Sequence, residues 1–319
     1  MNAFPLVATA ADFDAIARDE PKLRPGVDAI LEGNGLGGAH VVRFADGSLP
    51  VYAVGDELVL KLYPPVFLHE RDTEAGVLGA LEGRLPIPTP GLEAVGALDG
   101  WGYVLMRRLR GESLAVAWPR IAPDDRVRLC AALGEALASL HAIRGPALAS
   151  LPPRDWSSFV REQCASSAER QRGRGLSASW VDQIDPFLES VVLEPPAVPV
   201  LLHTEVMREH LLVERTNEGW SLSGLFDFEP AMRGAPEYEL ASVGVFVTAG
   251  DAGLLRSLLL AYGYREDALD HALSRRLLAY ALVHRYSHLR WYLERVPPPP
   301  ETTTLDALAA CWWPVSTPD

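Results

Sequence analysis

The chain has 319 residues, of which 48% are hydrophobic and 22% are charged, and its formal net charge is −13. This composition is that of a globular protein long enough to form two lobes or domains. The acidic balance disfavours a nucleic-acid partner, because little positive charge would be left to neutralise a row of phosphates. It would concentrate a cationic small molecule, or it serves solubility alone.

The cysteines and the apolar runs bear on where the protein works. Cys130, Cys164 and Cys311 are widely spaced and form no CxxC motif, which favours a reduced protein without disulfides. We find neither the pattern of a signal peptide nor an apolar run of about 18 residues, the length that would indicate a membrane span. We therefore expect a cytoplasmic protein that does not enter the membrane.

The N-terminal third predicts an antiparallel sheet with one helix packed against it. After a mostly helical stretch at residues 1–32, short runs rich in Val, Tyr and Leu alternate with turn residues, as in strands joined by tight loops. These strand-like runs occupy residues 41–44, 50–54, 57–63, 92–98 and 101–109. Residues 69–82 switch to helical spacing, and the prolines of LPIPTPG end that helix.

The rest of the chain is predominantly helical. Helical patterns cover residues 122–143, 155–191 and 251–292, and a last short helix follows PPPP. The strand-like pieces VPVLLH and SLSGLFDF interrupt them, and we predict that they form one short hairpin. The pattern indicates an α+β protein with a small β-rich lobe, residues 1–106, a larger helical lobe, residues 107–319, and a cleft between them.

Two glycine-containing stretches are candidates for phosphate binding. GNGLGG, at residues 33–38, fits GxGxxG, but strands follow it where a dinucleotide-binding turn needs a helix. ADGSL lies between the first two predicted strands, where Gly47 permits a tight backbone and Ser48 offers a hydroxyl and an N–H. We predict that Gly47 and Ser48 cover nucleotide phosphates; the alternative is an ordinary hairpin turn.

Lys61 stands in the otherwise apolar strand ELVLKLY, where an ammonium is costly to bury without a partner. In phosphoryl-transfer lobes such a strand lysine contacts nucleotide phosphates and is oriented by a glutamate on the next helix. Glu74 is the predicted partner and Glu70 the alternative. A lysine that reaches solvent from an edge strand would also fit the pattern.

The strand YVLMRRL ends at a glycine turn and is a candidate adenine site. An adenine ring needs backbone hydrogen bonds beside apolar walls, and the stretch from Met106 to Arg108 could provide both. An ordinary edge strand with a basic end is the alternative.

The stretch LLHTEVMREHLLV, residues 201–213, places ionisable groups between two apolar runs, and FDFE follows it. Asp227, at the end of an apolar strand, is predicted to hold a metal that bridges phosphate oxygens. Glu205 is the candidate base for an acceptor hydroxyl, and Arg208 could neutralise the transferred charge. One alternative interpretation is that this stretch is a solvated loop with no catalytic role. Another is a transition-metal site of His203, Glu205, Glu209 and His210, although the HExxH motif is absent.

Lys61, Glu74, the HxE…H loop and FDFE, in this order and spacing, resemble the aminoglycoside phosphotransferases, most closely the bacterial hygromycin B kinases. The resemblance covers residues 40–315. It implies a bilobal protein-kinase-like fold, ATP or GTP and Mg²⁺ as cofactors, and transfer of the γ-phosphoryl group to a hydroxyl of a cationic, aminoglycoside-like acceptor. It further implies a role in antibiotic resistance and a monomer or homodimer.

The same loop departs from the family pattern. The family usually has His-Gly-Asp, a short spacer and Asn, whereas this chain has His203-Thr204-Glu205 and then His210. Glu205 is one methylene longer than aspartate, which moves its carboxylate by roughly 1.5 Å. His210 stands where asparagine helps to hold magnesium, although imidazole suits softer metals. Alanine also replaces an aspartate in Gly234-Ala235-Pro236. The alternative function is therefore a catalytically silent protein that binds nucleotide or a small ligand.

Overall fold

The computed structural model of the chain describes residues 2–315, which divide into two units. The first unit contains the residues up to Gly83 together with Pro88–Arg110 and Gly224–Pro230. The second contains Arg84–Ile87, Gly111–Ser223 and the residues from Ala231 onward. Both units are discontinuous in sequence, because the chain enters the first unit again at Gly224 after most of the second has been built.

The first unit is an antiparallel five-stranded sheet with helices. Its strands are β1 (Val41–Arg43), β2 (Val51–Val54), β3 (Leu58–Tyr63), β4 (Leu92–Leu98) and β5 (Trp101–Arg107), in the spatial order β1-β2-β3-β5-β4. Its helices are α1 (Ala10–Ile16), α2 (Glu20–Gly33) and α3 (Leu68–Leu81). The five predicted strands are confirmed, as are the early helical stretch and the helix after the third strand. GNGLGG follows a helix, which agrees with its rejection as a dinucleotide-binding turn.

Helix α3 brings its glutamate to the sheet. The helix buries Glu74, Val77, Leu78 and Leu81, which share one face at helical spacing. That face packs on β3, β4 and β5. Because Glu74 lies on the apolar face, its carboxylate is carried into the interior, where it needs polar partners.

The second unit is mainly helical. Its α-helices are α4 (Leu114–Ala117), α5 (Pro123–Ala142), α6 (Trp156–Gly173), α7 (Ala178–Val181), α8 (Ile184–Glu189), α9 (Pro236–Val243), α10 (Ala252–Tyr262), α11 (His271–Val283), α12 (Leu289–Arg295) and α13 (Leu305–Trp312). A π-helical segment, Gly244–Thr248, continues α9. Helices α5 and α10 pack closely, since a Cβ at Gly134 would lie 2.2 Å from the Leu258 carbonyl oxygen. The α+β class is confirmed.

The strands of the second unit correct one prediction. Strand β7 (Val200–Leu202) pairs antiparallel with β10 (Met232–Gly234), and β8 (Leu211–Thr216) lies between β6 (Glu112–Ser113) and β9 (Gly219–Leu225). The predicted hairpin between VPVLLH and SLSGLFDF is therefore wrong. The tight turn that leads into β9 instead comes from β8, and Gly219 takes a positive φ of 114° there.

Cys130, Cys164 and Cys311 carry free thiols. Among residues 2–315, no helix combines the length and the apolar character needed to cross a bilayer.

Candidate functional site

One ammonium and three carboxylates form a partly buried group in the first unit, which we call the Lys61 cluster: Lys61, Glu74, Asp227 and Glu229. The Lys61 Nζ lies 2.6 Å from Asp227 Oδ1, 2.6 Å from Glu229 Oε2 and 3.1 Å from Glu74 Oε2. Lys61 is 5% exposed and Glu74 is 1% exposed. The structure therefore brings together Lys61, Glu74 and Asp227, and it adds Glu229.

Three pieces of chain build this cluster. Strand β3 supplies Lys61, helix α3 supplies Glu74, and the segment after β9 supplies the two other acids. Glu74 is fixed from both sides, because the Tyr63 hydroxyl donates to its Oε2 and the Phe228 N–H donates to its Oε1 over 3.2 Å. Asp227 has a φ of 78°, in the left-handed region that aspartate tolerates better than most residues.

The charged groups of the Lys61 cluster shift one another's pKa values. Burial alone would lower the pKa of Lys61, but Asp227 and Glu74 outweigh it and raise that pKa well above its usual value. Burial raises the pKa of Glu229, and the carboxylates of Asp227 and Glu74 add to the rise although Lys61 opposes it. Lys61 is therefore held in its charged form, whereas Glu229 takes up a proton more readily than an ordinary glutamate.

The cluster offers the donors that a hard divalent cation prefers. One carboxylate oxygen each from Glu74, Asp227 and Glu229 lies within 4.8 Å of the others. Mg²⁺ binds oxygen ligands, and here three acids stand against a single lysine. The donor set fits Mg²⁺.

The other predicted nucleotide-binding residues lie in the same unit. Gly47 and Ser48 belong to the exposed loop between β1 and β2, and Gly47 has a φ of 117°. Met106 lies in β5, opposite Val59 of β3. The Arg108 N–H donates to the Glu57 carbonyl over 2.7 Å, and its guanidinium lies 5.8 Å from the centre of the Phe44 ring.

In the second unit, residues 203–210 form a loop that we call the HTE loop, which begins after β7 and ends at β8. Its backbone is held by its own histidines. The Glu205 N–H donates to His203 Nδ1 over 3.2 Å, and His210 Nδ1 lies 2.8 Å from the Glu205 carbonyl oxygen. Because a carbonyl can only accept, Nδ1 of His210 donates in this hydrogen bond.

A buried carboxylate on α9 also holds the HTE loop. Glu239, which is fully buried, accepts the N–H of His203 over 2.5 Å and the N–H of Thr204 over 2.9 Å. Both hydrogen bonds lie in the interior, where they pair backbone N–H groups that water does not reach. Glu239 thus fixes the start of the loop relative to α9.

Arg208 is anchored inside the second unit. Its Nε donates to the Val247 carbonyl over 2.9 Å, its Nη2 donates to the same oxygen, and its guanidinium lies 3.6 Å from the centre of the Trp118 ring. Burial lowers the pKa of Arg208 to about 10, so it is still charged at neutral pH. The Val247 carbonyl belongs to the π-helical segment, where the usual helical hydrogen bonds are displaced.

Sequence reasoning missed Glu229 and Glu239. Glu229 follows Asp227 by two positions in FDFE, so the sequence contained a second acid close to Asp227 along the chain. Glu239 stands between Tyr238 and Leu240 in a largely apolar helix, where an acid is costly to bury without donors. Either residue could have been selected as a buried acid in need of partners.

The model of the phosphotransferase enzyme family, APH, matches residues 40–308. The search of curated proteins gives no match.

Several solved structures are similar in fold. The GDP complex of wild-type aminoglycoside 2′-phosphotransferase-IIIa is 18% identical, with 86% of this chain and 97% of that chain covered and a TM-score of 0.69. The GDP and kanamycin complex of APH(2″)-IIIa is 20% identical, with 86% and 96% covered and a TM-score of 0.68. The apoenzyme of macrolide 2′-phosphotransferase MphH from Brachybacterium faecium is 19% identical, with 86% and 99% covered and a TM-score of 0.60. These likenesses confirm the kinase-like fold.

Proposed function

Because the chain belongs to the phosphotransferase enzyme family, we propose that it transfers the γ-phosphoryl group of ATP or GTP to a hydroxyl of a small-molecule acceptor. The observation that carries this proposal is the Lys61 cluster, in which one buried ammonium is paired with Glu74 and Asp227 at 3.1 and 2.6 Å. A lysine oriented by a helix glutamate beside a metal-binding aspartate is the arrangement that phosphoryl transfer to an acceptor requires.

In this proposal Lys61 contacts nucleotide phosphates. Its ammonium is preorganised, because Glu74 is itself held by the Tyr63 hydroxyl and the Phe228 N–H. A fixed positive charge in a dry site stabilises the negative charge of the transferred group without further reorganisation. Gly47, Ser48 and the backbone from Met106 to Arg108 are proposed to contact the rest of the nucleotide.

Asp227 is proposed as the metal ligand of the first unit, and Glu229 adds a second carboxylate beside it. When bound, Mg²⁺ would neutralise charge on the phosphate oxygens. The oxygen-rich donor set of the Lys61 cluster supports this assignment. His210, in the HTE loop of the second unit, stays a proposed metal ligand.

Glu205 is proposed to orient the acceptor hydroxyl and to receive its proton. Its backbone is held on both sides by His203 and His210, and such positioning is what a general base needs. The contacts of Arg208 with Val247 and Trp118 lead us to propose an anchoring role in place of charge neutralisation.

The acceptor is proposed to be an antibiotic-like molecule with several hydroxyls, namely a cationic aminoglycoside. The similar structures include one with kanamycin and one of a macrolide phosphotransferase. The net charge of −13 would favour a cationic acceptor over a neutral one at low salt.

Calorimetric titration of ATP and GTP, with Mg²⁺ and with chelator, tests the nucleotide part of the proposal. We expect binding that needs Mg²⁺. Transfer of radiolabelled γ-phosphate to kanamycin, gentamicin, streptomycin and a macrolide then tests the acceptor. Absence of nucleotide binding under all conditions would sink the proposal. Metal-dependent binding without transfer to any acceptor or to water would favour the silent protein.

A further inference from the structure

Thr204, the residue before Glu205, has a backbone conformation that its side chain disfavours. Its φ is 74°, and it is fully buried. A β-branched residue in the left-handed region is a genuine outlier, since its side chain crowds the backbone there. Such conformations persist only where the surrounding structure imposes them. The contacts of Thr204 should therefore reveal what imposes this one.

The peptide groups of Thr204 are held from two sides. On one side its N–H donates to Glu239 Oε1 over 2.9 Å. On the other side its carbonyl oxygen lies 3.1 Å from His284 Nε2, which must donate because a carbonyl can only accept. That carbonyl belongs to the peptide bond that leads into Glu205, so its direction fixes the start of the Glu205 backbone.

His284 is suited to a fixed, neutral role. Its Nδ1 accepts the Tyr286 N–H over 3.3 Å, so a single tautomer satisfies both ring nitrogens. The imidazole is stacked on the Tyr238 ring with centres 4.6 Å apart and planes inclined by 29°. Burial, with a smaller contribution from the charge of Arg285, lowers its pKa to about 3. The ring can neither turn freely nor take up a proton near neutral pH.

We propose that His284 is a positioning residue for phosphoryl transfer. By binding the Thr204 carbonyl oxygen it keeps the Thr204 backbone in its left-handed conformation, and thereby directs the Glu205 carboxylate. This inference rests on the proposed function, in which Glu205 receives the acceptor proton. The longer side chain of glutamate makes the direction of its backbone matter, because the carboxylate is carried further from the point where the loop is fixed.

Two substitutions separate the contacts of the imidazole. In His284→Gln the side-chain amide nitrogen can take the place of Nε2 and donate to the Thr204 carbonyl. In His284→Asn the shorter amide reaches only the place of Nδ1. We expect Asn to lower kcat about ten- to hundredfold, the effect of a misplacement near 1 Å, with little change in the KM for nucleotide, and Gln to restore most of the loss. His271→Asn, at an exposed position, is the matched control.

A second measurement does not depend on activity. Amide hydrogen exchange in peptides covering residues 203–206 is expected to be faster in His284→Asn than in wild type and near wild type in His284→Gln. Adding Thr204→Gly to His284→Asn should recover part of kcat, since glycine adopts positive φ without crowding. This double variant also replaces His284→Asn if that protein does not fold.

The outcomes separate this inference from the proposed function. If the wild-type protein transfers no phosphoryl group, the proposed function fails, and the exchange comparison alone decides whether His284 holds the loop. The role of His284 would be overturned if His284→Asn and His284→Gln had the same amide exchange rates at residues 203–206 and the same kcat. The exchange comparison holds whether or not the protein is a phosphotransferase.

Discussion

The Lys61 cluster and the HTE loop are built on opposite principles. In the cluster, charged side chains pair with one another, so Lys61 is fixed by the balance among Glu74, Asp227 and Glu229. In the loop, side chains hold backbone groups, and the Glu205 carboxylate is carried by a frame that other residues fix. A charge balance tolerates little change in its members. A backbone frame can accept new side chains at the positions it displays, which explains why two of the departures from the family pattern, at Glu205 and His210, lie in the loop.

The largest effect is expected at the cluster. Lys61→Met should lower kcat/KM at least about a hundredfold, because removal of one preorganised charge-stabilising group costs roughly 10²–10³ in rate. The remaining buried acids would also destabilise the fold by about 3 kcal/mol. Steady-state kinetics and urea unfolding measure the two effects. Lys22→Met, at an exposed pair, is the control, and an active Lys61→Met protein would exclude the proposed phosphate contact.

A smaller loss is expected when the loop is returned to the family pattern. Glu205→Asp with His210→Asn should reduce kcat about a hundredfold if the loop is a specialised working site, since the carboxylate withdraws by more than 1 Å. A silent protein should instead gain transfer. Initial rates of phosphate transfer decide between them. Glu218→Asp with His271→Asn makes the same changes at exposed positions and should leave the rate unaltered.

The next effect concerns pH and the frame of the loop. The pKa of His284 is lowered from 6.5 to about 3, first by burial and then by the charges of Arg285 and Arg170. Between pH 3 and pH 6.5, His284 binds a proton in the unfolded chain but not in the folded one. The stability that His284 contributes is therefore fully present above pH 6.5 and is lost as pH falls towards 3, by up to about 1.4 kcal/mol per pH unit.

Urea unfolding of the wild-type protein and of His284→Gln from pH 7 to pH 4.5 measures this loss. Groups that titrate in both proteins cancel in the difference, so the two stability curves should converge as pH falls. Parallel curves would show that His284 gains its proton as easily in the folded chain as in the unfolded one.

The smallest effect is expected at Arg208. Arg208→Lys keeps the charge but loses the two-pronged contact with the Val247 carbonyl and most of the stacking on Trp118, so the free energy of unfolding should fall by about 1 kcal/mol. The kcat should change less than tenfold. Arg215→Lys, at an exposed position of β8, is the control. A thousandfold lower kcat at unchanged stability would restore the charge-neutralising role.

Periodicity explains which parts of the fold were predictable. Strands β2, β3 and β5 and helices α3 and α5 are long or regular enough for their patterns to be recognised. The pairing of β7 with β10 was not predictable, because a three-residue strand specifies its partner weakly.

The candidate site divides in the same way. The sequence suggested Lys61 together with Glu74, and Asp227 separately. Lys61 interrupts an apolar strand, Glu74 lies on the helix that follows it, and Asp227 ends another apolar strand. It did not suggest Glu239 or His284, since these side chains bind backbone groups of the HTE loop. No residue type in that loop indicates that its backbone requires a side-chain partner. Every residue offers the same backbone groups, so a side chain that binds the main chain does not constrain the residue type of its partner. A pattern of side chains therefore cannot predict such hydrogen bonds.

The return of the chain into the first unit at Gly224–Pro230 limits how related genes can recombine. A gene fragment that ends at Arg110 encodes the whole sheet but omits Asp227, Phe228 and Glu229. Lys61 would then keep Glu74 while losing two counter-charges, and Glu74 would lose its backbone donor. Recombination at that point would join the sheet to an unrelated helical part only by giving up the cluster. The units should therefore be exchanged between relatives as one piece.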